Sequence, residues 1–365
     1  MGSAGSDSIS ARDRHAPDLR RRAPRCSLDA MDIERSPLLS VERLARWLEA
    51  GERPVIVDVR WYLGKPGAGH AAYLEGHLPG AIFLDLDADL ADLEGYGAPG
   101  RHPLPSPEAF RARMAAAGIG DGAVVVGYDD VGGWVAARLW WMLDNLGFGR
   151  RDIEGEWVGV LDGGIKAWAE AGNVLATDVP GPPASPASLT LEDAWHGVIE
   201  REELRDRLGS VTLLDARAAA RYRGEVEPVD PVAGHIPTAI SAPFDTNLDL
   251  NGRMLGPGAL RARFQELEII PDDAGEQRDV VVSCGSGTSA AHHSLAMRVA
   301  GLPDPILYVG SYSDWSRSGE PVATGPEPGD PPGPRESTDN EPGNLGDRGG
   351  GLGTATAPPT AEEPR

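Results

Sequence analysis

An internal repeat is the feature that most limits how this chain of 365 residues can fold. Four landmarks occur twice along the sequence, each time in the same order. They are Asp58 and Asp215, His77 and His235, the apolar runs 124–126 and 280–282, and Trp168 and Trp315. The two aspartates are 157 residues apart and the two histidines 158. Because self-similarity at a fixed offset indicates repeated structural units, we expect a duplicated domain.

Composition sets the boundaries of the two repeats. We assign the first domain to residues 32–178 and the second to residues 188–325. Residues 179–187 are rich in proline, which blocks helix and sheet, so this segment is predicted to be a linker. Residues 1–31 and 326–365 are polar and broken by Pro and Gly, and they are predicted to be disordered because they cannot bury enough apolar area.

Each repeat alternates short β-branched runs with stretches whose apolar residues have helical spacing. The predicted strands include 55–59, 124–126, 213–214 and 280–282, and the predicted helices include 41–48, 134–146, 202–208 and 290–299. Alternating strands and helices favour parallel sheets that helices cover on both faces. The sequence therefore predicts an α/β fold in two tandem domains, with ligands at the carboxyl ends of the strands.

Charge and hydropathy exclude several classes of protein. The net charge of −22 does not suit a phosphate backbone or an anionic membrane surface. No apolar run reaches the roughly 18 residues that a transmembrane helix needs. We therefore expect neither nucleic acid nor a membrane as a partner. Arg20–Arg22 is followed by Ala-Pro and not by an apolar segment, so we expect no secretion signal and a cytoplasmic protein.

The chain has two cysteines, Cys26 and Cys284, too few for a disulfide framework or a cysteine-based zinc site. Cys26 falls in the predicted N-terminal extension and is interpreted as incidental. Cys284 follows a predicted strand, and the small residues 285–289 lead from it into a predicted helix. Loop N–H groups and the helix dipole stabilise an anion there, which favours a nucleophilic thiolate. The alternative, a buried structural cysteine, would not require so many small residues.

The segment Cys284–Ala290 resembles the active-site loop of rhodanese-type sulfurtransferases in its 3-mercaptopyruvate variant, from which it differs at Thr288 and Ser289. The same resemblance extends over about residues 33–325. Further matching segments are 58–63, 76–81, 138–141, 161–164, 215–217 and 234–237. The resemblance implies two tandem rhodanese-like domains, of which the first is catalytically silent. Asp129 aligns with Cys284 in the repeat, at an offset of 155, so the first domain lacks a nucleophile.

The family resemblance also implies a reaction. The Cys284 thiolate would take a sulfur atom from a small donor and become a persulfide, which a thiol, cyanide or a reduced thioredoxin-like protein would then discharge. The loop residues Gly285, Gly287, Thr288 and Ser289 would bind the persulfide or the anionic leaving group. We expect no metal and no organic cofactor, because the cysteine itself carries the sulfur.

The resemblance also suggests a proton relay. Mercaptopyruvate sulfurtransferases combine a loop serine with an aspartate and a histidine of the first domain, and these fall here on Ser286, Asp87 and His102. The alternative is that Asp87 caps a turn and that His102 is a surface histidine. His102 lies in a proline-rich loop, where a functional side chain is plausible.

Arginine binds the substrate carboxylate in this family, because a guanidinium fork matches carboxylate geometry. Arg221 is the best match, and a surface ion pair is the alternative for it. A second arginine that mercaptopyruvate enzymes often carry is missing from residues 225–233, and Arg223 is the candidate substitute.

Other donors and other activities are alternatives to this interpretation. Gly285 and Ser286 are neutral, whereas thiosulfate-specific loops carry cations there, so the loop favours 3-mercaptopyruvate over thiosulfate as donor. The missing arginine keeps thiosulfate open. A rhodanese-fold phosphatase needs an arginine at residue 290, which is alanine. A Cys–His protease lacks an oxyanion partner, and a non-catalytic sulfur carrier would need the thiol but neither the relay nor Arg221.

Overall fold

The computed structural model describes residues 1–2, 36–93, 100–151, 153–270 and 278–333. These residues form two five-stranded parallel sheets, each flanked by helices, which confirms the predicted α/β fold. The described residues up to Pro332 belong to one compact unit. No helix in the described ranges has the length and apolar character that crossing a bilayer requires.

The first sheet has the order β1-β5-β4-β2-β3, and all its neighbouring strands are parallel. Its strands are β1 (Leu38–Leu39), β2 (Val55–Asp58), β3 (Ile82–Phe83), β4 (Val124–Tyr128) and β5 (Trp157–Leu161). Its helices are α1 (Val41–Glu49), α2 (Ala68–Glu75), α3 (Pro107–Ala116), α4 (Trp134–Asn145) and α5 (Gly164–Glu170).

The second sheet repeats the first, with the order β6-β10-β9-β7-β8. Its strands are β6 (Val198–Ile199), β7 (Thr212–Asp215), β8 (Ile240–Ser241), β9 (Val280–Ser283) and β10 (Ile306–Tyr308). Its helices are α6 (Arg201–Arg207), α7 (Ala219–Tyr222), α8 (Pro257–Glu266), α9 (Ala290–Val299) and α10 (Ser311–Trp315), and a 3₁₀ turn covers Phe244–Asn247. Since the strands have the same relative order in both sheets, the sequence repeat is also a repeat of topology.

Local sequence accounts for where these elements begin. The hydroxyl of Ser40 accepts the N–H of Arg43 and caps α1, and Ser106 caps α3 in the same way with Pro107 at its first position. The central strands β4 and β9 are rich in valine and almost wholly buried, as expected for strands that helices cover on both faces.

A buried ion pair recurs at the end of the second strand of each sheet. Arg60 Nη2 donates to Asp58 Oδ2 at 2.6 Å and to the carbonyl of Gly76 at 2.7 Å. Arg217 repeats both bonds, at the same distances, to Asp215 and to the carbonyl of Gly234. The two strand-end aspartates therefore hold loops in both domains.

The repeated histidines also belong to the fold. His77 Nδ1 lies 2.8 Å from the carbonyl oxygen of Tyr73, and its ring stacks on that tyrosine. His235 makes the same two contacts with Tyr222. Both rings are fully buried among these groups.

One apolar core joins the two sheets. Helix α4 of the first sheet packs on α9 of the second, and a single cluster of buried side chains includes Trp140 from one and Leu295 from the other. This packing brings the carboxyl ends of the two sheets together. The predicted linker 179–187 contains neither helix nor strand and is mostly exposed.

The predicted ends of the chain lie largely outside the described residues, which leave out 3–35 and 334–365. At the start of the predicted C-terminal tail, the carbonyl of Glu327 lies 3.1 Å from His235 Nε2. Thr238 donates its N–H to the carbonyl of Pro328 at 2.6 Å. These residues are therefore in contact with the second sheet, and the domain boundaries stay predictions.

Candidate active site

Cys284 is the first residue after β9 and is 2% exposed. Its N–H donates to Ser311 Oγ at 3.0 Å, and its carbonyl accepts the N–H of Tyr312 at 2.9 Å, so the start of α10 fixes it from both sides. The N–H of Ser286 points at Cys284 Sγ, with 3.4 Å between N and S. A thiolate at this position therefore has a backbone donor directed at it.

The surroundings of the two loop glycines, Gly285 and Gly287, differ. Gly287 has a φ of +77°, and a Cβ there would lie 2.5 Å from the carbonyl oxygen of Val309, so only glycine fits. A Cβ on Gly285 would instead lie 2.8 Å from Arg101 Nη2 and 3.4 Å from Arg221 Nη1. Two guanidinium groups therefore occupy the space next to the residue that follows the cysteine.

The three residues of the predicted relay come together in one chain of hydrogen bonds. His102 Nδ1 lies 2.7 Å from Ser286 Oγ, and His102 Nε2 lies 3.0 Å from Asp87 Oδ1. Trp61 Nε1 donates to the other oxygen of Asp87 at 2.9 Å. At 4% exposure, His102 is not a surface histidine. This series of hydrogen bonds extends from the first domain to the cysteine loop of the second.

The electrostatics of the relay favour a neutral histidine beside an ionised carboxylate. Burial lowers the pKa of His102, although its hydrogen bond to Asp87 acts in the opposite direction. The hydrogen bond from His102 lowers the pKa of Asp87. Because an ionised carboxylate can only accept, we assign the proton to His102 Nε2, which leaves Nδ1 to accept the hydroxyl proton of Ser286.

A buried arginine supports the backbone of the relay histidine. Arg138 Nη2 donates to the carbonyl oxygens of His102 and Leu90, both at 2.9 Å. Burial lowers the pKa of Arg138 to about 10, and the charge of Cys284 acts against that shift. Sequence reasoning noted Arg138 only as a family landmark and missed this role. The available signal was an arginine inside the apolar run of α4.

Arg221 forms ion pairs with Glu227 at 2.7 Å and with Asp230 at 3.1 Å. Arg101 from the first domain pairs with the same Asp230, whose side chain is fully buried. Arg223, the candidate substitute for the missing arginine, pairs instead with Glu225 at 2.7 Å. Sequence reasoning missed Arg101, although it directly precedes the relay histidine.

The remaining predicted loop residues differ in their contacts. Thr288 Oγ1 lies 3.3 Å from His102 Nδ1, and the residue is 1% exposed. Ser289 precedes α9 but its side chain forms no capping hydrogen bond with that helix. Thr288 thus lies beside the relay, whereas Ser289 is the residue that directly precedes the first turn of α9.

Comparison with known proteins identifies the family. The sequence profile of the rhodanese-like domain matches residues 40–171 and 200–318, which is more than half of the chain. The chain belongs to the rhodanese family. Both halves are rhodanese domains, and the protein is a sulfurtransferase of the 3-mercaptopyruvate/thiosulfate type.

Relatives of this rhodanese protein carry two names. A protein of Pseudomonas aeruginosa, provisionally named 3-mercaptopyruvate sulfurtransferase, is 42% identical over 79% of this chain and 98% of its own length. SseB of Mycobacterium tuberculosis, provisionally named thiosulfate sulfurtransferase, is 43% identical over 76% of this chain and 93% of its own. The crystal structure of SseA, a 3-mercaptopyruvate sulfurtransferase of Escherichia coli, is 29% identical with a TM-score of 0.61, covering 76% of this chain and 99% of SseA.

The first rhodanese domain has a carboxylate where the second has its thiol. Asp129 is the first residue after β4, as Cys284 is after β9. Its carboxylate is buried and accepts four backbone N–H groups at 2.8–3.1 Å. The donors are Val131, Gly133, Val135 and Ala136. Burial raises the pKa of Asp129, whereas the four N–H donors act in the opposite direction. The loop of the first domain therefore directs its N–H groups at its own carboxyl group.

Proposed function

We propose that this protein transfers sulfur from 3-mercaptopyruvate to a thiol or cyanide through a persulfide on Cys284. The observation that carries the proposal is the hydrogen-bonded chain Asp87–His102–Ser286, which ends two residues from the cysteine. A relay of this kind serves a donor whose leaving group needs a proton. The relative of Pseudomonas aeruginosa named for this activity supports the same donor.

The proposed first half-reaction is an attack of the Cys284 thiolate on the sulfur of 3-mercaptopyruvate. A sulfur–sulfur bond forms, and the electron pair of the carbon–sulfur bond leaves with carbon 3 as the enolate of pyruvate. The proton that the donor sulfur carried passes to His102 Nδ1, and the protonated histidine returns it through the Ser286 hydroxyl to carbon 3 of the enolate. The products are pyruvate and a Cys284 persulfide, and no electrons are needed from outside.

Arg221 is proposed to bind the carboxylate of the donor. One of its terminal nitrogens lies 3.4 Å from where a side chain on Gly285 would begin, immediately beside the cysteine. Glu227 and Asp230 hold the guanidinium from its other edge. A guanidinium orients a carboxylate through paired hydrogen bonds, which would aim the donor sulfur at Cys284.

In the second half-reaction a thiolate or cyanide attacks the outer sulfur of the persulfide. The sulfur–sulfur bond breaks and its electron pair returns to Cys284 Sγ, which regenerates the thiolate. A small thiol, cyanide or a cysteine of a reduced thioredoxin-like protein fits this step equally, because each brings the same kind of nucleophile.

Thiosulfate is the second candidate donor. Arg101 and Arg221 place cationic groups beside Gly285, where a loop side chain is absent, and such groups suit a dianion. The SseB relative supports this donor. With thiosulfate the outer sulfur passes to the Cys284 thiolate and sulfite leaves as a stable anion. That step needs no proton, so it would not use the relay.

Steady-state kinetics with both donors, and with cyanide and dithiothreitol as acceptors, tests the proposal. We expect kcat/KM for 3-mercaptopyruvate to exceed that for thiosulfate by about two orders of magnitude, within the range that proton transfer contributes. A preference for thiosulfate would replace the proposal with the second candidate. Persulfide formation without turnover of either donor would indicate a sulfur carrier.

A further inference from the structure

We infer that Thr288 is a positioning residue of the relay, whose hydroxyl accepts a second hydrogen bond from His102 while that histidine carries the proton of the donor. The inference rests on the proposed function, because it concerns the state in which His102 is protonated. Thr288 is one of the two positions at which the cysteine loop differs from the 3-mercaptopyruvate variant that it resembles. Its side chain is therefore not part of the pattern from which the relay was predicted.

Two hydroxyl groups of the cysteine loop meet the same nitrogen of the histidine. Ser286 Oγ lies 2.7 Å from His102 Nδ1, and Thr288 Oγ1 lies 3.3 Å from it. Gly287 separates the two residues and has a φ of +77°, a conformation that glycine adopts without strain. Thr288 is buried, so bulk water does not compete with its hydroxyl for Nδ1.

The hydrogen bonds at Nδ1 depend on the protonation of the histidine. With the proton on Nε2, Nδ1 of His102 has one lone pair, which the nearer hydroxyl of Ser286 occupies. Once Nδ1 takes the proton of the donor sulfur, it becomes a hydrogen-bond donor and needs an acceptor. The Thr288 hydroxyl can rotate and has two acceptor sites, so it can share this hydrogen with Ser286. Ser286 then passes a proton to carbon 3, whereas Thr288 only stabilises the charged ring.

The surroundings of His102 mostly oppose its charged form. Burial lowers the pKa of His102, and the positive charges of Arg138 and Arg101 act in the same direction. Asp87 acts against this shift from the other side of the ring, where it pairs with Nε2. A charge-assisted hydrogen bond from Nδ1 to Thr288 adds a second stabilising contact, on the side of the ring that exchanges the proton.

Packing of the loop is the competing explanation for a buried threonine. Two substitutions separate the explanations, because each removes a different part of the side chain. Thr288→Val removes the hydroxyl and keeps the volume, whereas Thr288→Ser keeps the hydroxyl and removes the methyl group. Ser294→Ala is a further control, since Ser294 is equally buried and its hydroxyl has no hydrogen-bond partner among the described residues.

Steady-state kinetics with both donors is the first measurement. For Thr288→Val we expect kcat for 3-mercaptopyruvate to fall about three- to tenfold with KM nearly unchanged, as for the loss of one hydrogen bond. Transfer from thiosulfate needs no proton, so its kcat should change less than about twofold. Thr288→Ser keeps the acceptor and should restore most of the rate, and Ser294→Ala should stay within about twofold of the wild type.

The second measurement needs no turnover. In protein whose histidines carry isotopic nitrogen, NMR follows the protonation of His102, and the signals of His102 are identified by their absence in His102→Gln. Removing an acceptor from Nδ1 destabilises the charged form of the ring. The pKa of His102 should therefore be lower in Thr288→Val than in the wild type, and it should be the same in Ser294→Ala as in the wild type.

An equal loss of rate with both donors, or a larger loss in Thr288→Ser than in Thr288→Val, would overturn the inference in favour of packing. It also fails if Thr288→Val leaves either kcat for 3-mercaptopyruvate or the pKa of His102 unchanged. Failure of the proposed function would look different, because the wild-type protein would then turn over thiosulfate but not 3-mercaptopyruvate. In that case the titration alone decides. A lower pKa of His102 in Thr288→Val supports the second hydrogen bond, and an unchanged pKa overturns it.

Discussion

Asp129 and Cys284 occupy equivalent positions in the two rhodanese domains, each as the first residue after a central strand, but they use the following loop in opposite ways. The Asp129 carboxylate accepts four N–H groups of its own loop and the helix that follows. Among the described residues, Cys284 Sγ accepts the N–H of Ser286. In the first domain the N–H groups of this loop therefore bind a side chain of the same loop.

Replacing Asp129 with alanine should destabilise the protein without touching the cysteine loop. The substitution leaves four N–H groups without their acceptor, and we expect the free energy of unfolding to fall by about 3 kcal/mol or more. Urea denaturation measures the loss. Asp130→Ala is the control, since Asp130 is exposed and its carboxylate accepts a hydrogen bond from the hydroxyl of Tyr62. Equal stability of the two variants would contradict this account of the first loop.

Cys284→Ser should abolish sulfur transfer from both donors, because a serine hydroxyl cannot carry the sulfane sulfur. Cys26→Ser changes the other cysteine of the chain and should keep full activity. Mass spectrometry after incubation with donor alone should show one added sulfur in the wild type and in Cys26→Ser. Turnover that survives in Cys284→Ser would exclude the persulfide mechanism.

Ser286→Ala should separate the two donors. Removing the hydroxyl ends the relay at His102, so we expect kcat for 3-mercaptopyruvate to fall about 10²- to 10⁴-fold and kcat for thiosulfate to fall less than about tenfold. Ser283→Ala is the matched control, because Ser283 lies just before the cysteine and its hydroxyl donates to the carbonyl oxygen of Leu214. A similar loss with both donors would argue against proton delivery by the relay.

Two adjacent buried histidines should make stability depend on pH. Burial lowers the pKa of His292 to about 4 and that of His293 to about 3, and Asn247 Nδ2 lies 3.2 Å from Nδ1 of each. Below the ordinary value of 6.5 the unfolded chain binds protons that the folded chain does not. Stability is therefore lost as the pH falls from about 6.5 towards 4, at about 1.4 kcal/mol per pH unit for each histidine.

Urea denaturation at pH 6.0 and 5.0 measures this slope. His293→Gln should reduce it by about 1.4 kcal/mol per pH unit, whatever the variant does to stability at pH 7. His196→Gln serves as the control, because the His196 side chain is exposed and its ring pairs with Glu192. If both variants keep the wild-type slope, the buried pair does not govern the acid sensitivity.

The secondary structure of the chain was predictable where short-range patterns determine it. The helix predicted at 134–146 is Trp134–Asn145, and the strand predicted at 280–282 is Val280–Ser283. Apolar periodicity and β-branched runs act over a few residues, so they need no knowledge of the rest of the fold. The family resemblance added Asp87, His102 and Ser286, which periodicity alone could not connect.

Arg101 and Arg138 escaped sequence reasoning for a physical reason. The residues next to Arg101 and Arg138 in the sequence do not indicate which groups these arginines contact. The role of a buried guanidinium depends on the groups that pack around it. Arg101 meets Asp230 across 129 positions of sequence, and Arg138 supports His102 across 36. Only the packing of the two domains determines those contacts.

The duplication, the α/β class and the small residues of the loop after Cys284 follow from the sequence alone. These depend on interactions between near neighbours and on the conformational freedom of glycine. The tertiary structure decided that Ser286 meets His102, 184 residues away, and that two arginines converge beside Gly285. Such contacts form because the helices α4 and α9 bury a common apolar core, which places the ends of two separate sheets against each other.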